Sequence, residues 1–404
     1  ASSGAPGSSS SVRVRGVTSL NSNNPLYVVD GVVVDNGGID YLNSSDIESL
    51  EVLKDAASAA IYGARAAGGV ILITTKRGKS GSLNLNYNGY YGTQSSARRL
   101  DLLNATQYAT LRNEASVNGG GGIIFANPES YGKGTDWQDI LFNDDARVQN
   151  HELSISGGND KSTFYSSYGF FDQEGIVATD ISNYKRHNIR LNSIHKIKSW
   201  LTVGQNLGYS HIKSQGSLGN NTEFGGPLSS AINLDPITPA VITDPAVAGA
   251  APYSTQAVMR DANGFPYGIS NLVAQEMTNP LAYVQSRLGN YNWSDNIIGN
   301  VYAEVEPIKG LKFRSTLGSK LAWWGSENFT GIYYLNPTQL SSQTAFSRGR
   351  NQGFNWNVEN TVSYSKSIEK HNFTVLAGQG AYTDNNTSGN NITFNNIVAK
   401  NFDQ

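Results

Sequence analysis

The residues best suited to proton transfer or metal binding are five histidines, His151, His187, His195, His211 and His371. They stand isolated along the chain, without the spacing of a metal site. There are no cysteines, which excludes thiolate ligands and a disulfide framework. Glu304 and Glu306 form an i, i+2 acid pair, but Lys312 and Arg314 follow closely, so a charge ladder explains them better than general acid–base work. No Gly-x-Ser-x-Gly elbow occurs. Gly78-Lys79-Ser80 resembles the end of a phosphate loop, yet Ile73 stands where its first glycine belongs. Gly63–Gly69 reads in the order helix, glycine, strand, the reverse of a phosphate loop. Lys76–Lys79 is a short basic run that suits a solvated edge. The Asn/Gly-rich stretch Asp384–Asn391 lacks a calcium-loop spacing. We therefore expect no catalytic residue, no metal and no cofactor: the chain is not an enzyme.

Composition points the same way. The 404 residues carry a net charge of −2 with both signs interspersed, which argues against a nucleic-acid footprint. Apolar content is only 38%, yet there are 21 Tyr, 14 Phe, 6 Trp and 43 Gly. That mixture suits many strands whose two faces meet different surroundings. No apolar run approaches the ~18 residues of a membrane-crossing helix. Ala1–Ser11 is Ser/Gly-rich and lacks the apolar core of a signal peptide.

Two regions differ in period. Residues 1–80 read as a small α/β unit. Val12–Arg15 alternates up to Gly16; Leu26–Val34 is a second strand candidate broken by Asp30-Gly31; Glu48–Leu53 is a third and Gly69–Thr75 a fourth. Between the last two, Asp55 and Gly63 frame a two-turn helix over Ala56–Tyr62. From Gly81 onward the period is two. Leu83, Leu85 and Tyr87 alternate with Asn84, Asn86 and Asn88; Val301 and Ala303 oppose Tyr302 and Glu304; Leu317 and Leu321 oppose Thr316 and Lys320. About nine such strands fall near 81–92, 148–158, 162–173, 184–194, 200–212, 291–307, 310–324, 351–367 and 370–383. They are longer than the ~5–6 residues of most soluble strands. Their connections alternate between short (Asn159–Lys161, Lys196–Ser199, Pro307–Gly310, Ser367–His371) and long (93–147, 213–290, 325–352). This is the rhythm of an outer-membrane barrel rather than a sandwich. Trp200, Trp293, Trp323 and Trp324 near strand ends suit interfacial girdles. An open edge in lipid strands backbone groups, so the sequence is expected to be part of a longer chain.

The ordered series Arg13-Val14-Arg15-Gly16, Pro25–Gly31, Asp46–Ala56 and Ala60–Gly78 resembles the plug of SusC-type TonB-dependent transporters, the SusC/RagA family. Phe170–Val177, with Lys185-Arg186 and Asn188–Asn192, is similar to that family's early barrel strands. The resemblance implies a membrane all-β fold: a β-barrel of about 22 antiparallel strands when complete, roughly nine of them here, with a small α/β plug in its lumen. Residues 1–80 would be plug and 81–404 barrel with long extracellular loops. It implies TonB-dependent import of a nutrient across the bacterial outer membrane. TonB would supply energy through a segment upstream of residue 1, a SusD-like surface lipoprotein would act as lid, and oligosaccharide would be the leading substrate. A peptide importer of the same architecture is the alternative. A structural or adhesive surface β-protein is the competing class, although an adhesin needs no plug. Outer-membrane lipid is an expected partner and nucleic acid is not.

Four structural expectations follow. The unit 1–80 should sit within the curve of the later strands. Leu317 should face lipid and Thr316 the lumen. A turn at Pro307–Lys309 should set Glu304 opposite Lys312. By resemblance, Arg15, Asn36 and Tyr41 lie at the plug apices that meet substrate; Arg15 offers a fork of donors, Asn36 both donor and acceptor, and Tyr41 a stacking face. Trp137, Tyr253, Phe265, Tyr267, Tyr333 and Tyr334 in the long connections could stack on sugars, pack against a lid, or pin the loops.

Overall fold

The computed structural model describes residues 4–8, 12–14, 16, 24–34, 39, 41–54, 60–215, 225–273, 276–368, 371–383 and 387–398. Two sheets carry the architecture. The smaller holds β1 (Leu26–Val29), β2 (Val32–Val34), β3 (Ile47–Leu53) and β4 (Val70–Thr75) in the order β2-β1-β4-β3, with β1 parallel to β4. Its β-branched runs explain the strands. The expected break at Asp30-Gly31 is a two-residue hairpin turn, with φ of 49° and 88°. Both values lie in the left-handed region that this turn demands. Two expectations change here. Val12–Arg15 contains no strand among its described residues; Val12 and Val14 pack instead against the core of the small sheet. In place of one α-helix, two 3-10 turns run over Ala60–Gly68 and meet at Gly63, whose φ of 65° and ψ of −154° are not helical. Gly63 ends the first turn as expected and a second follows it, while Asp55 lies outside the described residues.

The larger sheet is a continuous antiparallel meander: β5 (Gly81–Gln94), β6 (Ala146–Gly158), β7 (Ser162–Glu174), β8 (Asn183–Lys198), β9 (Leu201–Gln215), β10 (Tyr291–Ile308) and β11 (Leu311–Thr330). A small hairpin, β12 (Tyr333–Tyr334) with β13 (Leu340–Ser341), interrupts the chain before β14 (Ala345–Ile368). The lower part of β14 pairs with β15 (His371–Tyr382) and its upper part with β16 (Thr387–Asn395), which thus prolongs the same strand position. The nine expected strands are all present, most of them longer at their ends.

Register separates two faces across the whole sheet. Leu85, Leu153, Ile189, Leu207, Val301, Leu317 and Val358 point one way; Asn86, Ser154, Arg190, Asn206, Asn300, Gly318 and Asn357 point the other. The apolar face is open. Leu317 is 50% exposed, and Leu85, Val301 and Phe373 are exposed as well. A contiguous apolar band of this extent needs a nonaqueous neighbour.

One turn is set differently from expectation. Ile308 pairs with Leu311 around Lys309-Gly310, and a bulge between Val305 and Ile308 brings Arg314, not Lys312, opposite Glu304. Gly310 at φ 88° supplies the tight two-residue turn. Lys312 still reaches Glu304 diagonally, Nζ to Oε1 at 3.0 Å, so the ladder forms without the predicted pairing. Both groups are partly open, so Lys312→Ala should lower stability by only ~0.2–1 kcal/mol. Urea midpoints of the two proteins in detergent measure this, and a loss above ~2 kcal/mol would contradict the exposed geometry.

Candidate functional site

The small sheet lies against the polar face of the large one. Flat strands spaced ~4.8 Å apart would hold β8 and β14 about 19 Å from each other. Yet the carboxylate of Asp30 meets Arg190 on β8, while the backbone carbonyl of the next residue, Gly31, accepts from Asn357 on β14. The large sheet therefore curls around the small one.

The contact is mostly polar. Arg190 is 4% exposed. Its Nη1 lies 3.5 Å from Asp30 Oδ2 and donates to Thr75 Oγ1 at 3.2 Å; its Nε lies 3.8 Å from Asp46 Oδ2. Asp30 also accepts from the Thr75 backbone N–H at 3.0 Å and from its hydroxyl at 2.6 Å. Asp46 Oδ1 accepts from Tyr165 at 2.8 Å and Ser167 at 2.5 Å, both on β7. Asn192 donates to Thr75 Oγ1 and to the Lys76 carbonyl, Asn43 donates to buried Glu152 on β6, and Asn300 donates to the Asp30 carbonyl. One guanidinium thus serves two carboxylates of the small sheet. Ile298 and Ile212 add an apolar contact to Tyr41, Leu42 and Ile39. Close approach also requires small wall residues: a Cβ on Gly318 would stand 2.9 Å from Val32 Cγ2.

Of the three proposed apex residues, Arg15 and Asn36 lie outside the described residues. Tyr41 is 6% exposed and packed in the core between the sheets, its carbonyl accepting from Asn188 and its ring 5.8 Å from Lys320 Nζ. Its stacking face is occupied by the protein itself, since the ring is buried in one cluster with Leu42 and Ile298. Sequence reading missed Arg190, Asp46 and Glu152. A signal existed: Asn188, Arg190 and Asn192 share one strand face, and an arginine amid asparagines on a lumen wall needs acidic partners.

At the opposite end from the short turns, the long connections build one lobe. Trp137 and Leu141, Ala178 and Ile181, Ala231 and Leu234, Ala282 to Val284, and Leu335 share a core. The helix Ala105–Asn118 begins with a capping box between Asn104 and Gln107. Trp137 is buried, with its indole N–H on the Asp235 carbonyl at 2.9 Å. Tyr253 is buried too, and burial pushes its hydroxyl above the usual tyrosine range. These two rings pin loops, and Tyr267 and Tyr333 pack against the same core. Phe265 is exposed. A cleft of about 490 Å³ lies between Leu100–Asn104, Lys133–Gln138 and Ala231–Leu234.

A small sheet, hydrogen-bonded to the polar face of an antiparallel sheet that is apolar outside, is the arrangement of a plug against part of a β-barrel wall. Sequence comparison agrees. The family model described as TonB-dependent Receptor Plug Domain matches residues 1–70. The chain is 32% identical over 388 residues to TonB-dependent receptor P26 of Formosa agariphila, covering 93% of this chain and 36% of that protein. It is 30% identical over 411 residues to TonB-dependent receptor SusC of Bacteroides thetaiotaomicron, covering 93% and 37% respectively. Among solved structures, the RagAB peptide importer in its closed-closed state superposes with a TM-score of 0.75 at 25% identity, covering 97% of this chain and 48% of that chain. The chain belongs to the SusC-type TonB-dependent transporters. It spans little more than a third of the length of the curated relatives it matches. Those relatives are named as receptors, not enzymes.

Proposed function

We propose that this chain works within a TonB-dependent importer of the bacterial outer membrane, with residues 1–80 as plug and 81–404 as barrel wall and external lobe. The observation that carries the reading is the plug–wall interface around Arg190. It is built largely from hydrogen bonds, each contributing about 0.5–1.5 kcal/mol net, because groups parted from each other can find water in a polar lumen. Such a contact closes the channel at rest and can be broken by a modest external pull. A seal made wholly of large apolar side chains would resist that pull.

The substrate we propose is an oligosaccharide, captured with a SusD-like lipoprotein over the external lobe, as the resemblance of residues 12–80 to SusC-type plugs implies. The segment containing Arg15 and Asn36 is proposed to contact it, with Tyr41 anchoring the apex from below. Likeness to a peptide importer favours peptide as the second reading. Uptake of labelled oligosaccharide and of labelled oligopeptide by cells carrying the full-length protein separates the two. Oligosaccharide uptake that vanishes without TonB is expected. Peptide uptake alone would transfer the assignment, and uptake of neither, or uptake independent of TonB, would refute the proposed import. Alanine at both Arg15 and Asn36 should lower uptake with surface expression unchanged; wild-type uptake would remove these apices from the site.

A further inference from the structure

The outer face of the wall carries, toward the long connections, two rows of charged side chains in which Asp172 stands opposite Lys185 and Asp295 opposite His211. His187 on β8 stands directly opposite His211 on β9, and one step further out Lys185 stands directly opposite Lys213. Like charges placed opposite each other across strands are destabilising; Asp172 reaches Lys185 at 3.9 Å, whereas Lys213 rests on a ring, so the pair can still take a further anion. All four side chains point to the same face as Leu191 and Leu207, away from the plug.

Their level is set by the strand. Trp200 and Leu201 lie at the short turn, and His211 is ten residues beyond Leu201. Ten residues at ~3.4 Å rise, tilted ~40°, span about 26 Å, close to the ~25 Å apolar band of an outer-membrane barrel. Of the four outward side chains between, Val203 and Leu207 are apolar, Tyr209 is aromatic with its hydroxyl on Asp295, and Gln205 is polar. The two rows therefore fall where the headgroups of the outer leaflet begin.

The acids of these rows and of the strands beside them are less exposed than the cations they pair with. In three ion pairs the cation is the more exposed member: Arg147 at 43% over Glu174 at 24%, Lys185 at 51% over Asp172 at 5%, and Arg348 at 43% over Glu327 at 14%. Lys213 rests its Nζ 4.1 Å from the centre of the Tyr291 ring rather than on a carboxylate. His187 and His211 engage Tyr168 and Asp295 through Nδ1, which leaves Nε2 of each ring for another partner. The surface presented outward is thus a cationic collar above an apolar wall.

We propose that this collar, centred on Lys185 and Lys213, binds the phosphate of an anionic glycolipid in the outer leaflet, whose acyl chains lie on the apolar face below. Charge complementarity selects the headgroup, and the apolar strip beneath it selects a lipid over a soluble anion. The proposal rests on the membrane reading of the outer face.

The test places the full-length transporter in nanodiscs containing lipid A, or lipid A stripped of its phosphate, and counts retained lipids by native mass spectrometry. Insertion with any lipid retained tests the membrane reading on its own. The wild type should retain the phosphorylated form preferentially. Lys185→Gln/Lys213→Gln should reduce that preference by roughly tenfold to thirtyfold, since each basic residue near an anionic surface contributes separately. Lys185→Arg/Lys213→Arg should keep it, and so should Lys312→Gln on the opposite face. Equal retention of both lipids by the wild type would overturn the proposal. So would a preference that survives the Gln double variant, is lost in the Arg double variant, or is abolished by millimolar inorganic phosphate, which would indicate a free-anion site only.

Discussion

Leu317→Arg is expected to cost about 2–4 kcal/mol of folding stability in a bilayer, the depth-dependent penalty for a cation near the midplane of a barrel's lipid face. Leu317 is mid-strand in β11, paired with Val301 and Val358 on an exposed apolar face. Its neighbour Thr316 points to the other face, beside Arg314 and opposite Glu359. Thr316→Arg would meet a carboxylate there and should cost far less. Folding yields of the two full-length variants in lipid vesicles across a urea series read the difference. Equal yields would reverse the assignment of the faces, and with it the membrane reading.

Arg190→Met is the second large effect. Asp30 and Asp46 are almost fully buried with this guanidinium between them. Deleting one partner of a buried ionic cluster typically costs about 3–5 kcal/mol, because the remaining charge stays in a low-dielectric site without compensation. Hydrogen bonds from Thr75, Tyr165 and Ser167 already serve the carboxylates, so a value near the lower end is expected. Asp46→Asn added to Arg190→Met should recover part of the loss. The loss should appear at the plug–wall contact first: trypsin should cut at Lys76 and Arg77 faster in the variant under native conditions. Unchanged cleavage, together with a stability loss below ~1 kcal/mol, would show that this cluster does not hold the plug.

The period-two pattern after Gly81 was enough to place strands, faces and the sidedness of the connections, because a one-residue slip would turn an entire apolar set inward. Local chemistry was equally legible where it rests on adjacent residues, as in the Asp30-Gly31 turn and the β-branched run of β4. Contacts far apart in sequence were not. Arg190 lies 160 positions from Asp30, and only curling of the sheet brings β8 and β14 to the two sides of one hairpin. The offset of Glu304 from Lys312 came from a bulge, which depends on how β10 and β11 settle around Lys309-Gly310. Tyr41 read as a stacking platform because a tyrosine beside a glycine-rich loop carries no mark of what will cover it; the wall covers it. The external lobe joins four separate connections in one core, and neither their lengths nor their aromatics specify that partnership, since burial is decided by which surfaces meet in three dimensions.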